Sequence, residues 1–368
     1  MNRQFPLWRA RICDKSGRDT PGGGMASKTI KDIARAANVS YSTVSRALNR
    51  KEGVGAATRE RIFVIAKEFG YTPNAIAQGL VTQRTKTIGL VLPDVTNPFF
   101  PEVAAGVELA ADELGLSVFL CNTNWDKEKE ERYLRLLAQR RVDGIIVSLI
   151  ADEPEELVRD AVGDTPVVYV NHAPLRTERP FVAIDEDRGS YMATRHLIDQ
   201  GYDTVGFIGA EAGGITSIPR LHGYRRAIED AGIQYDERYV GLPRAGESSG
   251  SDIIMRMISE GCCPRALFAQ NDVTAFSVMQ GAQACGLRVP EDLAVIGFDD
   301  IPTAGFEAVG LSTIRQPKRE LGRLSVELLR RQIESSLPEE GDSNQILLEP
   351  ELVIRRTSGA ARPQEPRR

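Results

Sequence analysis

The stretch from Thr29 to Asn49 constrains the fold more than any other part of this chain. It holds two short runs in which apolar residues recur with the period of an α-helix. Asn38-Val39-Ser40 interrupts the period between the runs, and Ser40 is a residue type that commonly caps a helix N-terminus. Helices of this length are unstable alone in water, so the sequence predicts two helices that pack against each other across a tight turn.

Each predicted helix has one apolar face and one polar face. Thr29 is expected to cap the first helix by accepting a backbone N–H near Asp32, whose carboxylate suits a helix N-terminus. The apolar faces consist of Ile30, Ile33, Ala34, Ala37, Val44, Ala47 and Leu48. The outward row of the second helix is small, polar and cationic, and consists of Ser42, Ser45, Arg46 and Asn49. Such a row suits a helix lying in a DNA major groove, while a helical hairpin with a solvated face is the alternative that spacing alone leaves open.

The residues TIKDIARAANVSYSTVSRALN resemble the helix-turn-helix of the lactose-repressor (LacI/GalR) family, whose pattern is close to T-I-K-D-V-A-x-x-A-x-V-S-x-x-T-V-S-R-x-L-N. The match has no gaps, and the likeness continues to about Arg356. The resemblance implies a sequence-specific transcriptional repressor that binds a near-palindromic double-stranded DNA operator as a homodimer. It also implies that Tyr41, Ser42 and Arg46 read base edges while neighbouring residues position phosphates. The implied DNA contacts are Thr29, Tyr41, Ser42, Thr43, Ser45, Arg46, Asn49, Asn74, Ala77 and Leu80.

Residues 73–86 are predicted to form a hinge helix and linker, because Asn74 to Leu80 resembles the family's hinge helix. In the family the hinge leucine, here Leu80, enters the minor groove at the centre of the operator. So few residues cannot form a stable isolated helix, so this segment is expected to fold only together with DNA and a partner hinge. Gly79 weakens the helix further. An ordinary interdomain linker is the alternative.

The remaining domain boundaries follow from composition and from the resemblance. Residues 1–26 match nothing in the family and are predicted to be a disordered extension, with Met25 as an alternative start. A third helix from about Ala57 to Phe69, between Gly55 as its cap and Gly70 as its stop, completes a helix-turn-helix domain over residues 27–72. Residues 357–368 are rich in proline and arginine and are predicted to be a disordered tail.

The formal net charge of −5 conceals a strongly uneven distribution. Residues 27–86 carry eleven lysines and arginines against four acidic residues, a net charge of +7, and residues 1–26 carry +3. Residues 87–368 therefore carry −15. A basic head on an acidic body is expected when only the head meets a polyanion such as DNA.

Composition and simple motifs exclude several other classes of protein. No apolar run is long enough to cross a bilayer, and the first 24 residues lack the apolar core of a signal peptide. No membrane partner is therefore expected, and the predicted location is the bacterial cytoplasm, in association with the nucleoid. The five cysteines lack C-x-x-C spacing and the three histidines are scattered, so neither a metal site nor another cofactor is predicted.

From Thr87 onward, short apolar strands alternate with helices, and repeated βα units imply parallel sheets with helices on both faces. The predicted fold class is α/β, with a three-helix helix-turn-helix headpiece and hinge helix before the core. The core, over residues 87–356, is expected to have two lobes of doubly wound parallel sheets, the periplasmic-binding-protein-like architecture that the resemblance also implies. Ile184 is assigned to the second lobe, and chain crossings between the lobes are expected near residues 171–185 and 299–316.

Ligands in open α/β sheets lie at the carboxyl ends of the strands, and polar and aromatic residues follow the predicted strands here. The resemblance implies that several of them line an effector pocket, with Arg220 and Asp299 as the firmest assignments. Aromatic faces together with Asn, Asp and Arg side chains suit a polyhydroxylated ring, so a sugar or sugar derivative is the expected effector. Phe99 as a core residue and Asp272 as a helix cap are alternatives left open. The predicted effector-binding residues are Phe99, Phe100, Trp125, Ser148, His172, Asp185, Arg220, Asn271, Phe298 and Asp299.

The sequence carries no recognised enzyme motif, and no catalytic residue is predicted. Asp299 and Asp300 are neighbours, but a catalytic pair needs two carboxylates that face each other across a substrate. There is no phosphate-binding loop and no G-x-S-x-G nucleophile elbow. The alternative function is a solute-binding protein of a transport system, since the core alone would serve that purpose. That alternative requires a signal peptide and no basic headpiece. This sequence instead has a basic headpiece and lacks the apolar core of a signal peptide.

Overall fold

The computed structural model describes residues 29–48, 52–71, 84–150, 155–172, 177–209, 217–244, 249–334 and 343–359. The chain divides into two compact units, residues 1–77 and residues 78–368. Each unit has a hydrophobic core of its own. None of the helices in the described ranges combines the length and the apolar character that a membrane crossing requires.

The first unit is built from three helices, namely α1 (Ile30–Ala36), α2 (Tyr41–Leu48) and α3 (Ala56–Glu68). The predicted inward faces share one core, with Ile33, Val44, Ala47 and Ile62 fully buried. Ser40 caps α2 as predicted, because its Oγ accepts the backbone N–H of Thr43 at 3.1 Å. The three helices therefore stabilise one another by packing, because helices of this length are only marginally stable in isolation.

Thr29 caps α1 as predicted, in a capping box with Asp32. Its hydroxyl and its backbone N–H both donate to Oδ2 of Asp32, at 2.8 and 2.9 Å. The hydroxyl acts as a donor because an ionised carboxylate is a stronger acceptor than a hydroxyl. Gly55 and Gly70 bound α3 as predicted, with Gly55 as N-cap and Gly70 at a left-handed φ of 59° just after the helix.

The first lobe of the second unit holds an all-parallel sheet in the order β11-β5-β4-β3-β1-β2. Its strands are β1 (Thr87–Leu92), β2 (Ser117–Asn122), β3 (Gly144–Val147), β4 (Val167–Asn171), β5 (Phe181–Ile184) and β11 (Gln345–Leu348). Its helices are α4 (Phe99–Glu113), α5 (Lys127–Gln139), α6 (Glu155–Val162) and α11 (Lys318–Ile333). Alternate strand residues enter different cores: Leu90 packs with α4 and α11, whereas Val91 packs with α5 and α6.

The second lobe repeats this plan, with a sheet in the order β12-β10-β9-β8-β6-β7 in which only the β10–β12 pair is antiparallel. Its strands are β6 (Val205–Ile208), β7 (Val240–Gly241), β8 (Ala266–Ala269), β9 (Ala294–Asp299), β10 (Ser312–Arg315) and β12 (Glu351–Val353). Its helices are α7 (Glu186–Asp199), α8 (Ser217–Asp230), α9 (Gly250–Ser259) and α10 (Asp272–Ala284). The predicted α/β class with two doubly wound parallel sheets is confirmed.

The chain passes between the lobes at residue 185, at residues 316–317 and at residues 349–350. The assignment of Ile184 to the second lobe was wrong, because β5 pairs with β4 and β11 in the first sheet. The third crossing was not predicted, since β11 and β12 are short and carry little apolar periodicity. All three crossings lie at the ends of strands, where the two sheets approach each other.

The predicted boundary of the C-terminal tail at residue 357 was also wrong. Thr357 and Ser358 are both about 1% exposed. Thr357 Oγ1 accepts the backbone N–H of Ser312 at 2.9 Å, and Ser358 Oγ donates to Ser312 Oγ at 2.6 Å. The chain therefore packs on the second lobe through Gly359, whose carbonyl accepts a hydrogen bond from Tyr202.

Candidate functional site

In the first unit, helix α2 divides its side chains between core and solvent. Tyr41, Ser42 and Arg46 are exposed, whereas Thr43 and Ser45 are half-buried. The hydroxyl of Ser40 lies 2.8 Å from the hydroxyls of Ser42 and Thr43, so the start of the helix carries a small hydroxyl network. The exposed face carries the ring of Tyr41, the hydroxyl of Ser42 and the cation of Arg46, which fits a major groove. Four predicted DNA contacts, Asn49, Asn74, Ala77 and Leu80, lie outside the described residues.

In the second unit, Arg220 on α8 is the centre of a buried polar cluster. Its Nε and Nη2 donate to the two carboxylate oxygens of Glu186, at 2.9 and 3.1 Å. Its Nη1 donates to the carbonyl oxygen of Gln270, and its guanidinium carbon lies 3.9 Å from the ring centroid of Phe298. The side chains of Arg220 and Glu186 are only 5% and 4% exposed. Burial raises the pKa of Glu186 to about 7, against the opposing effect of Arg220.

Asp299 ends β9 beside this cluster in a strained backbone conformation. Its φ is 114°, and Asp300 follows with a φ of 51°, both in the region that side chains with a Cβ avoid. Lys318, at the start of α11, donates from Nζ to the carbonyl oxygens of both residues at 2.7 Å. Gln316 Nε2 donates to the carboxylate of Asp299 at 2.7 Å. Burial raises the pKa of Asp299 to about 6, although Arg220 and Lys318 oppose this.

His172 forms the first-lobe side of the same region, after β4. Its Nε2 lies 2.6 Å from the carbonyl oxygen of Leu149, and its Nδ1 lies 3.3 Å from Nδ2 of Asn171. Burial, with a further contribution from the Arg220 charge, lowers the pKa of His172 to about 4. The imidazole is therefore neutral near pH 7, with Nε2 donating to the carbonyl and Nδ1 accepting from the amide. The electrostatic effect of Arg220 on His172 connects the two lobes at this point.

Three buried side-chain oxygens near the strand ends have no hydrogen-bond partner among the described residues. They are Ser148 Oγ after β3, Asn171 Oδ1 at the end of β4 and Gln316 Oε1 after β10. Ser148, Asn171 and Gln316 are 0%, 5% and 2% exposed. A buried polar atom without a partner costs stability, so such atoms mark a place where a ligand would supply the missing bonds.

The predicted aromatic residues separate into two groups. Phe99 and Phe100 are 2% and 4% exposed and belong to the first-lobe core. Phe99 is therefore a core residue, which is the alternative that the sequence left open. Trp125 is 54% exposed, has a left-handed φ of 58°, and lies edge-on to Phe100 with ring centroids 6.2 Å apart. Of these three aromatic residues, Trp125 is thus the one whose ring is exposed enough to contact a ligand.

Two predicted effector residues serve as helix caps. Asp185 accepts the backbone N–H of Arg188 at 2.9 Å and caps α7, and Asn271 accepts the N–H of Thr274 at 2.8 Å and caps α10. Asp272, for which a capping role had been left open, instead binds the N–H of Ile301 at 2.8 Å and the hydroxyl of Thr313 at 2.5 Å. The capping interpretation of Asp272 was wrong, because Asn271 occupies the cap position.

Sequence reasoning missed three residues of this cluster: Glu186, Gln316 and Lys318. Gln316 comes directly after β10, and Glu186 comes two residues after the end of β5. A search of the residues that follow strand ends could therefore have found both. Lys318 opens α11 and gave no signal of its own. The described residues hold no group of three or more His, Cys, Asp or Glu side chains placed to bind a metal ion.

The fold and these two sites define a class of protein: a DNA-binding regulator whose second unit is a two-lobed ligand-binding core. Residues 29–74 match the model of bacterial regulatory proteins of the lacI family, and residues 194–358 match that of the periplasmic binding protein-like domain. The chain belongs to the LacI family of transcriptional regulators.

Relatives and solved structures of this family align along almost their whole length. The chain is 34% identical over 331 residues to the HTH-type transcriptional repressor PurR of Aliivibrio salmonicida, covering 89% of this chain and 98% of that one. It is 35% identical over 333 residues to the regulator DegA of Bacillus subtilis, covering 90% and 98%. The lac repressor dimer bound to operator and the anti-inducer ONPF superposes with a TM-score of 0.80 at 27% identity, covering 90% and 99%. The complex of the transcriptional regulator CelR with cellobiose superposes with a TM-score of 0.66 at 30% identity, covering 90% and 99%.

Proposed function

We propose that this protein is a homodimeric repressor of the bacterial cytoplasm whose affinity for its operator is controlled by a sugar or sugar derivative. It regulates transcription by binding and has no catalytic role. The observation that carries the proposal is the pair of sites in one chain: an exposed polar face on α2, and a buried polar cluster at the strand ends of the two-lobed core. The first suits DNA, and the second suits a small polar molecule.

On the DNA side, Tyr41, Ser42 and Arg46 are proposed to contact base edges in the major groove. Their exposure, and the packing of α2 through Val44 and Ala47, support this orientation. Arginine suits guanine because it presents two parallel N–H donors to O6 and N7. Asn49 and Ser45 are proposed to position phosphates, and Asn74, Ala77 and Leu80 to act in the hinge.

On the effector side, the unpartnered buried oxygens favour a molecule rich in hydrogen-bond donors. Asn171 Oδ1 and Gln316 Oε1 accept only, and the hydroxyl of Ser148 accepts or donates. The hydroxyl groups of a sugar supply such donors, and the exposed ring of Trp125 offers a surface for the apolar face of the sugar ring. The CelR structure contains cellobiose, a disaccharide, which supports the same class of ligand for this chain.

Dimerisation is proposed to use a groove of about 890 Å³ on the first lobe, between α4 and the edge strand β2. Leu109 and Leu120 line this groove and are 64% and 52% exposed. Two large apolar side chains exposed in the lining of one groove favour an interaction surface. A second copy of the chain is the proposed occupant, since the related lac repressor was solved as a dimer.

Effector binding is proposed to change how the two lobes close, and so to alter the spacing of the two hinge segments at residues 73–86. The three crossings between the lobes all lie at the strand ends where the ligand is proposed to bind, which supports a coupling between the two. The expected coupling is about 5- to 150-fold in operator affinity.

The test is selection of duplex DNA by the full chain at moderate ionic strength, followed by measurement of operator affinity with and without members of a sugar panel. A near-palindromic preferred site is expected, together with one sugar that shifts both its affinity and the melting temperature of the protein. Absence of any sequence preference in the well-folded dimer would overturn the regulatory function. A preferred site without any response to the panel would overturn the assignment of a sugar effector alone.

A further inference from the structure

We infer that Glu186 is a specificity-determining residue that neutralises Arg220 and so restricts the effector cleft to uncharged ligands. This inference rests on the proposed function, because it concerns the ligand of the same cleft. It goes further by separating neutral polyhydroxylated molecules from their phosphorylated and carboxylated derivatives, and by assigning that choice to one residue.

The geometry of the Glu186–Arg220 pair is that of a strong carboxylate ligand for arginine. An arginine presents five N–H donors, and the paired Nε and Nη2 donors are those with which it usually binds an anion. Here Glu186 occupies that pair with bonds of 2.9 and 3.1 Å. A third donor, on Nη1, is used by the carbonyl oxygen of Gln270. Glu186 therefore holds the position that the carboxylate or phosphate of a ligand would need.

The surroundings of Arg220 leave little room for a second anion. One face of the guanidinium lies over the fully buried ring of Phe298, at 3.9 Å from its centroid. Both members of the ion pair are almost completely buried, so solvent screens their charges only weakly. A ligand anion would have to displace Glu186 and leave its carboxylate buried without a partner, which is costly.

The charges of the whole cluster point in the same direction. The buried carboxylates are Glu186, Asp272 and Asp299, and the buried cations are Arg220 and Lys318. Lys318 already donates to the carbonyl oxygens of Asp299 and Asp300, and His172 is neutral near pH 7. At pH 8, above the pKa values of Glu186 and Asp299, these two carboxylates balance the charges of Arg220 and Lys318. The cluster then has no surplus positive charge to attract an anionic ligand, whereas its unpartnered oxygens favour neutral donors.

The position of Glu186 is fixed by the close crossing of α7 and α8. Glu186 is the first residue of α7, directly after the cap residue Asp185. The hydroxyl of Ser190, one turn further along α7, donates to the carbonyl oxygen of Arg220 on α8. The two helices are thus tied together at the ion pair, and Glu186 is held against Arg220 as part of the packed structure.

The test uses sulfate as a probe for a free arginine donor pair, with the full chain at pH 8 and chloride at equal ionic strength as reference. The variant is Glu186→Gln, which keeps the shape of the side chain and removes its charge. The matched control is Glu131→Gln, which removes a carboxylate that pairs with Arg135 on the surface of α5. Because sulfate stabilises folded proteins in general, only the difference from this control is interpreted.

The expected result is a saturable sulfate-dependent rise in melting temperature of roughly 2–4 °C for Glu186→Gln beyond that of the control and of the wild type. The rise should disappear in the double variant Glu186→Gln/Arg220→Gln, in which the donor is removed. An equal response of wild type and Glu186→Gln would overturn the inference. So would a folded Glu186→Gln without a response, or a response that persists in the double variant.

Measurements on the wild type alone test the inference even if Glu186→Gln does not fold. A saturable component in the response of the wild type to sulfate, above the chloride reference at equal ionic strength, would overturn it. In a panel that pairs glucose with glucose 6-phosphate and with glucuronate, and ribose with ribose 5-phosphate, preference for a charged member would also overturn it. Such a preference would leave the proposed regulatory function intact, whereas loss of sequence-specific DNA binding would refute that function and not the role of Glu186.

Discussion

Gly223 on α8 lies directly against the backbone carbonyl of Asp187 on α7, leaving no space for a Cβ atom between the two helices. Ser190 on α7 also lies within contact range of the same position. This approach allows the start of α7 to meet Arg220, one turn before Gly223. The buried pair of Glu186 and Arg220 therefore depends on a glycine that makes no contact with the charges themselves.

Replacing Gly223 with alanine is expected to force α7 and α8 apart and to destabilise the protein by about 1–3 kcal/mol. Urea unfolding measures this change. Gly305→Ala is the matched control, because a Cβ there meets only the side chain of Arg355 at an ordinary 3.7 Å. Its effect should stay within about 0.5 kcal/mol. Equal stability of Gly223→Ala and Gly305→Ala would show that the crossing tolerates a wider separation.

Arg46→Ala is expected to weaken binding to the preferred operator by about 1–3 kcal/mol and to relax specificity at one base pair. Arg46 is exposed on α2 beside Ser42, so its removal should not disturb the core. Titration of the variant against operator and random duplexes at one salt concentration measures the effect. Lys67→Ala, which removes a cation from the exposed face of α3, is the control. An equal loss for Arg46→Ala on operator and random DNA would contradict base reading.

The headpiece could be predicted from the sequence in detail because its helices are short and their contacts are local. The 3.6-residue period places Ile33, Val44 and Ile62 inside, and all three are fully buried. The α/β class of the core was equally accessible, since buried strands such as β3 and β4 are continuous apolar runs. The strands that were missed, such as β11 and β12, are short and lie at sheet edges, where periodicity is weak.

The polar cluster could be predicted only in part, because its contacts join residues that are distant in the chain. Arg220 and Asp299 were assigned through the family resemblance. The partner of Arg220 could not be assigned from the sequence, because the pairing with Glu186 spans 34 residues and depends on how α7 and α8 cross. The left-handed backbone of Asp299 likewise gave no sequence signal, since Asp is not a residue that marks such a conformation as glycine does.

His172 makes the stability of the core depend on pH in the acidic range. Its pKa is lowered from 6.5 to about 4 by burial, so the folded state binds fewer protons than the unfolded state between these values. Stability from this group is therefore complete above pH 6.5 and is lost as the pH falls towards 4, by about 3 kcal/mol. His172→Gln should remove that part of the slope in urea unfolding between pH 6.5 and 4.5. His222→Gln, which replaces an exposed histidine on α8, is the control, and an equal slope in both variants would contradict the role of His172.

Leu109→Arg on α4 is expected to weaken the proposed dimer, because it places a charge in the groove that a second copy would cover. Sedimentation at micromolar concentration should show dissociation of the variant at concentrations where the wild type is dimeric, and operator affinity should fall with it. Leu157→Arg is the matched control: Leu157 is 50% exposed on α6, and α6 packs on the opposite face of the first sheet from α4. Both variants gain the same charge, so a general electrostatic effect on DNA binding is common to them. If Leu109→Arg remains dimeric, or if both variants dissociate alike, the groove between α4 and β2 is not the contact between copies.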